Sequence, residues 1–175
     1  MFKGCYTASI TPMRADGSVD YDGLEKLNAF QIESGIQGIL AVGTTGESPT
    51  LLWEEHNEVI ERTCRQAEGK CLRVAGTGSN STRETLAATA HAAHAGADAA
   101  LLVDPYYNGP SSLEIRREYV EPVAAEFPDM QLIPYVIPGR TGTMLRVEDL
   151  ALLAAKYPNV STVKEATGDF DNMAR

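Results

Sequence analysis

Short runs of apolar, β-prone residues alternate with longer segments of helical periodicity along the whole chain. Gly4–Thr11 and Gly38–Val42 (GILAV) read as the first strands, followed by Leu72–Ala75, Ala99–Val103, Gln131–Val136 and Val160–Lys164. Helices are predicted over Tyr21–Ser34, Trp53–Ala67, Thr82–Ala95, Leu113–Phe127 and Val147–Tyr157, and a further one begins within Asp169–Arg175. Their ends carry their own signals. Ser81 with Glu84 fits a capping box, and Gly35 and Gly96 stand where a left-handed residue closes a helix. The strands are continuous apolar runs rather than strict alternations, as parallel strands covered on both faces require. Such βαβ alternation leaves a doubly wound open sheet or a (β/α) barrel. A complete eight-stranded barrel needs about 250 residues, so the units present here amount to an open α/β sheet or an incomplete barrel.

Composition narrows the function classes. Lys and Arg total 15 against 24 Asp and Glu, a net charge of -9, and such a surface repels phosphate backbones and anionic lipid. Nucleic acid and membrane are therefore not expected partners. No apolar run is long enough to span a bilayer, and the first residues lack the apolar stretch of a secretory signal. Cys5, Cys64 and Cys71 form neither an even framework nor a CxxC pair. A cytoplasmic protein acting on small molecules is the expectation.

The unusual residues gather after the carboxyl ends of the strands, where parallel α/β proteins place their ligands. These are GTTGES from Gly43, GTGSN from Gly76, DPYYN from Asp104, PGRTG from Pro138 and KEATGD from Lys164. Loops at the opposite ends, such as Ala67–Lys70, are plainer. Lys164 is the sharpest of these residues. Period-2 geometry puts it on one face with Val160, Thr162 and Ala166. If that face is interior, desolvation lowers the amine's pKa, as a Schiff-base lysine requires; otherwise it is a strand-end lysine reaching solvent. GTTGES is either an anion cradle or a tight turn, and it lacks the lysine of a phosphate-binding P-loop. Tyr135 is a proton carrier or a packing tyrosine, and Arg140 grips a carboxylate or is simply solvated. His91 and His94 lack the further ligands of a metal site, and Glu54, Glu55, Glu58 and Glu61 read as a solvated helix face.

Taken in this order and at these spacings, the motifs resemble the pyruvate-dependent lysine-Schiff-base aldolases, the dihydrodipicolinate synthase and N-acetylneuraminate lyase family. The resemblance runs from Met1 to Arg175. It implies a TIM (β/α)8 barrel, with about six βα units in one domain over residues 1–175 and strands seven and eight with their helices missing. Within the family, GTTGE and the arginine of PGRTG favour the synthase branch.

The resemblance also implies roles. Lys164 matches the lysine that forms an imine with pyruvate, and Tyr135 matches the proton shuttle. Thr44 and Tyr107 match its relay partners, Tyr107 coming from a neighbouring subunit. Thr45, with Thr44, matches the loop that holds the pyruvate carboxylate, and Arg140 matches the receiver of aspartate semialdehyde. The implied reaction yields 4-hydroxy-tetrahydrodipicolinate, for lysine and diaminopimelate biosynthesis, and uses no metal or organic cofactor. Ser48, Trp53, His56, Asn80, Glu84 and Tyr106 match positions of a lysine effector site at a dimer contact, within a homodimer or homotetramer. Val136 and Ile137 depart from the family pattern, which has Asn after the strand-five tyrosine. Two alternatives stand beside this: another aldolase of the family acting on a sugar acid, and an inactive fragment acting only in assembly.

Overall fold

The computed structural model describes residues 3–175 and divides into two compact units. One comprises Met1–Gly76 with His91–Ala99, the other Thr77–Ala90 with Ala100–Arg175. The strands are β1 (Tyr6–Ala8), β2 (Gly38–Ala41), β3 (Leu72–Gly76), β4 (Ala99–Val103), β5 (Gln131–Val136) and β6 (Lys164–Glu165). Their order in the six-stranded sheet is the chain order, and the β1–β2, β2–β3 and β5–β6 pairs are parallel. A doubly wound sheet reverses its strand order at a switch point. No reversal occurs here, so the winding is that of a barrel, and the fold is a partial (β/α) barrel.

In the first unit, α1 (Tyr21–Glu33) and α2 (Trp53–Ala67) follow β1 and β2. The Asp20 carboxylate accepts the Gly23 amide and caps α1, and Gly35 closes it at φ +82°. All four residues of β2 are buried, as its unbroken apolar run requires. Val42, Val59, Ile60, Cys64 and Ala75 build the core with Leu24 from α1. β1 is shorter than the predicted Gly4–Thr11. Past Ala8 only the Ser9 amide continues to the Leu40 carbonyl, and Thr11 turns away to donate its hydroxyl to the Gly46 carbonyl at 2.7 Å.

In the second unit, the predicted helix Leu113–Phe127 is interrupted. It runs as α4 (Ser112–Glu114), a π-helical segment (Ile115–Val120) and α5 (Glu121–Glu126). Pro122 has no amide to give and its ring crowds the preceding turn, and the widened register accommodates it. A single turn, α6 (Pro138–Thr141), precedes α7 (Val147–Lys156), and α8 (Phe170–Ala174) follows β6 with Asp169 as its cap. Of the predicted strand Val160–Lys164, only Lys164 pairs with β5, so Lys164 opens β6 instead of ending it. α3 (Thr82–His94) has half of the expected capping box. Ser81 Oγ accepts the Glu84 amide at 3.4 Å, but the Glu84 carboxylate accepts from Ser79 Oγ instead.

One close approach fixes the exit of β2. Val42 holds φ +47°, an uncommon state for a β-branched residue, and a Cβ on Gly76 would lie 2.3 Å from the Val42 carbonyl oxygen. Gly76→Ala is therefore expected to destabilise the chain by about 1–3 kcal/mol in denaturant titration. Gly139→Ala, whose Cβ meets nothing within 4 Å, should leave the midpoint unchanged. Equal midpoints for the two variants would refute this account.

Candidate active site

The ends of β4, β5 and β6 bring the central candidates of the second unit together. The Asp104 amide donates to the Tyr135 carbonyl at 3.1 Å, and Tyr135 is the register partner of Lys164. Register partners on parallel strands point to the same face. Accordingly, Lys164 Nζ lies 4.1 Å from the centroid of the buried Tyr135 ring. Lys164 is half-buried, and desolvation lowers its pKa below the usual lysine value. An amine in that setting sheds its proton more readily than a surface lysine and becomes nucleophilic.

The face beyond Lys164 differs from the expected alternation. Val160 and Thr162 line a groove of about 320 Å³ together with Val136, Leu150, Glu165 and Met173. Val136 neighbours Tyr135 along the strand, so its side chain takes the opposite face. The departure from the family's asparagine thus lies away from the Lys164 amine.

The loops add further groups. Arg140 is exposed on α6, its amide donating to the Ile137 carbonyl at 2.9 Å. Gly142, at φ +71°, reverses the chain after it. Tyr107 is 90% exposed at φ +79°. Ser79 Oγ donates to Glu84 at 2.6 Å, and burial, with the Glu84 charge adding, pushes the Tyr106 hydroxyl above its ordinary pKa. Asn80 is exposed beside them in sequence.

In the first unit, Thr44 and Thr45 form a 3-10 turn with Gly46, Thr44 half-buried and Thr45 exposed. The turn's own bonds use the amides of Gly46, Glu47 and Ser48; those of Thr44 and Thr45 are not among them. Ser48 opens a second turn, Ser48–Thr50. Trp53 meets His56 edge-on with ring centroids 5.0 Å apart. His56 is buried, and desolvation lowers its pKa to about 4, so it is neutral at pH 7. Among the described residues, no group of three His, Cys, Asp or Glu side chains is placed to hold a metal ion, and no helix is long and apolar enough to cross a membrane.

Sequence reasoning missed Asp104 and Tyr119. Asp104 is 1% exposed, its Oδ2 accepts the Leu145 amide at 2.9 Å, and burial raises its pKa to about 7. Tyr119, buried by the π-helical segment, donates to the Val103 carbonyl at 3.0 Å. A signal for Asp104 existed: a carboxylate directly continuing the apolar run AALLV.

Residues 1–175 match the family model described as "Dihydrodipicolinate synthetase family". A 4-hydroxy-tetrahydrodipicolinate synthase from Leptospira biflexa is 45% identical over 175 residues, 100% of this chain and 58% of that relative. Similar solved structures include the following two. Dihydrodipicolinate synthase from Cyanidioschyzon merolae, with lysine bound, has a TM-score of 0.94 and 40% identity over 99% of this chain and 58% of its own. The chloride-inhibited enzyme from Acinetobacter baumannii, complexed with pyruvate, has a TM-score of 0.90 and 44% identity over 98% and 58%. The chain thus spans about 58% of the length of the relatives it matches.

The lowered pKa of Lys164 has a stability signature. Between its folded value and the ordinary 10.5, the unfolded chain holds a proton that the folded chain has shed, so stability rises with pH across that window. Lys164→Met should flatten this rise in denaturant titrations at increasing pH. An unaltered slope would contradict the desolvated amine.

Proposed function

The chain belongs to the dihydrodipicolinate synthetase family, and from that membership we propose that it carries the Schiff-base machinery of a lyase condensing pyruvate with aspartate semialdehyde to 4-hydroxy-tetrahydrodipicolinate. The observation that carries the reading is the half-buried Lys164 amine, with its lowered pKa, over the ring of Tyr135. In the proposed sequence, the neutral amine attacks the keto carbon of pyruvate, and the keto oxygen takes a proton from Tyr135. The attacking nitrogen returns a proton to Tyr135, which passes it to the new hydroxyl, and water leaves to give the protonated imine. The Tyr135 phenolate takes a methyl proton to give the enamine, whose carbon attacks the aldehyde of the second substrate. The new C–C bond forms as the aldehyde C=O π bond opens, and its oxygen takes the proton back from Tyr135. The amino group of that substrate then displaces Lys164, closing the ring and freeing the enzyme. The imine is itself the electron sink, so the proposal calls for no cofactor.

Thr44 and Thr45 are assigned to the pyruvate carboxylate, with Thr44 also in the proton relay. The exposure of Tyr107 fits the relay role offered to a second copy of the chain in a homo-oligomer. The guanidinium of Arg140 is assigned to the carboxylate of aspartate semialdehyde, for which its bidentate geometry suits it. A lysine effector is proposed on the strength of the lysine-bound relative from Cyanidioschyzon merolae. Glu84 would take the effector's ammonium group, with Tyr106 and Asn80; Ser48, Trp53 and His56 are the other residues assigned to it. The free thiols of Cys5, Cys64 and Cys71 support a reducing, cytoplasmic setting.

Borohydride added in the presence of pyruvate should leave a reduced pyruvate adduct on Lys164, located by peptide mass spectrometry, and none in Lys164→Ala. Adduct on other lysines alone would end the Schiff-base assignment. Arg140→Ala should raise the aspartate semialdehyde concentration needed to discharge the imine about 10- to 100-fold, with the pyruvate requirement unchanged.

A further inference from the structure

The Arg140 turn is held at both ends. Its near end leaves β5 after Val136, the neighbour of Tyr135, and the ladder fixes both. Its far end is Leu145, whose amide is held by the carboxylate of Asp104, a residue 41 positions earlier in the chain. Donor and acceptor residues are each only 1% exposed, so water does not compete for the bond. Two further bonds join the same two loops. The Thr143 hydroxyl donates to the Pro110 carbonyl, and Ser112 Oγ accepts the Arg146 amide at 2.9 Å, the latter at an exposed position. One of these loops carries Tyr107 and the other Arg140, and Asp104 stands at the root of the first.

Asp104 also touches the ladder itself, through its amide on the Tyr135 carbonyl. A single residue therefore connects the proton carrier, the strand end leading to Tyr107 and the loop bearing Arg140. A hydrophobic residue at 104 would leave the ladder bond intact but orphan the buried Leu145 amide, releasing only the loop. We infer that Asp104 is a positioning residue whose carboxylate, by holding the Leu145 amide, sets the placement of Arg140 and so governs capture of the second, carboxylate-bearing substrate. The functional half of this inference rests on the Schiff-base reading; the structural half does not.

The test compares wild type with Asp104→Asn, which keeps an acceptor oxygen, and Asp104→Ala, which removes it. Asp104→Leu, which removes the acceptor while filling the space, repeats the comparison against loss of folding. Hydrogen exchange of peptides spanning residues 139–146 should be about tenfold faster in the Ala and Leu variants and near wild type in the Asn variant. Borohydride trapping of pyruvate on Lys164 should proceed alike in all four proteins. The aspartate semialdehyde concentration that halves the trapped adduct should rise about tenfold in the Ala and Leu variants and be restored in the Asn variant. Unchanged exchange in Asp104→Ala and Asp104→Leu overturns the inference. So does a rise in the pyruvate requirement equal to that for the aldehyde. A wild-type protein that pyruvate never labels defeats the Schiff-base reading instead, and the exchange comparison still decides whether Asp104 holds the loop.

Discussion

The backbone ladder at the carboxyl ends of β4, β5 and β6 is the constraint on which the chemistry of the second unit depends. Its bonds run from the Asp104 amide to the Tyr135 carbonyl, through the Tyr135–Lys164 register, to the Ala166 amide on the Val136 carbonyl at 2.9 Å. Parallel pairing sends the side chains of register partners to one face, so the Lys164 amine meets the Tyr135 ring because of strand register. A slip of β6 by one residue would set Val163 or Glu165 opposite Tyr135 in place of Lys164. The phenol would then face an isopropyl group or a carboxylate instead of the amine. The two-residue length of β6 makes this register the more dependent on its few bonds.

Much of this arrangement is legible in the sequence because it follows from local chemistry. The apolar runs Ala99–Val103 and Gln131–Val136 become strands with the predicted bounds, and Trp53–Ala67 becomes a helix with the predicted bounds. Gly35 and Gly96 take the left-handed conformation that their positions after helices demand. The losses occur where the geometry of particular bonds overrides local propensity. Val160–Val163 has strand-like composition, yet the Leu132 amide of β5 goes to the carbonyl of Asn159 just before it, and register pairing with β5 begins only at Lys164. Glu84 leaves the Ser81 side of its capping box for the Ser79 hydroxyl, a competition that residue spacing does not encode. The π-helical segment had a cue in Pro122, but a widened turn and a broken helix are equally compatible with a proline. For the site, the polar residues after strand ends are visible in one dimension; the Asp104–Leu145 bond, spanning 41 positions, is not.

Burial perturbs the ionisable groups of both units, with opposite consequences for stability. His56, with its pKa lowered to about 4, stays neutral while the unfolded chain protonates near 6.5, so its contribution is lost as pH falls through that interval. Asp104, with its pKa raised to about 7, keeps its proton while the unfolded chain loses it near 3.8, so its contribution is lost as pH rises towards 7. Each effect belongs to its own unit, and over the mildly acidic range they have opposite sign. Near neutrality, Asp104 is divided between its two protonation states while His56 is neutral. A buried carboxylate is costly without compensation, and the Leu145 amide supplies part of it.

The same geometry explains how the chain accommodates valine where the family pattern has asparagine. Tyr135 and Val136 are adjacent on β5 and therefore face opposite sides of the sheet. Tyr135 takes the side of Lys164, and Val136 takes the groove that Leu150, Val160 and Met173 also line. On that apolar side an amide would need hydrogen-bond partners to offset its desolvation, whereas valine needs only packing. Glu165, the register partner of Val136, already carries a buried oxygen with no hydrogen-bond partner among the described residues. A second polar group beside it would add to the unmet demand unless the two paired with each other. The substitution therefore acts on how β5 packs against its helices, and the identity of the groups around the Lys164 amine is untouched by it.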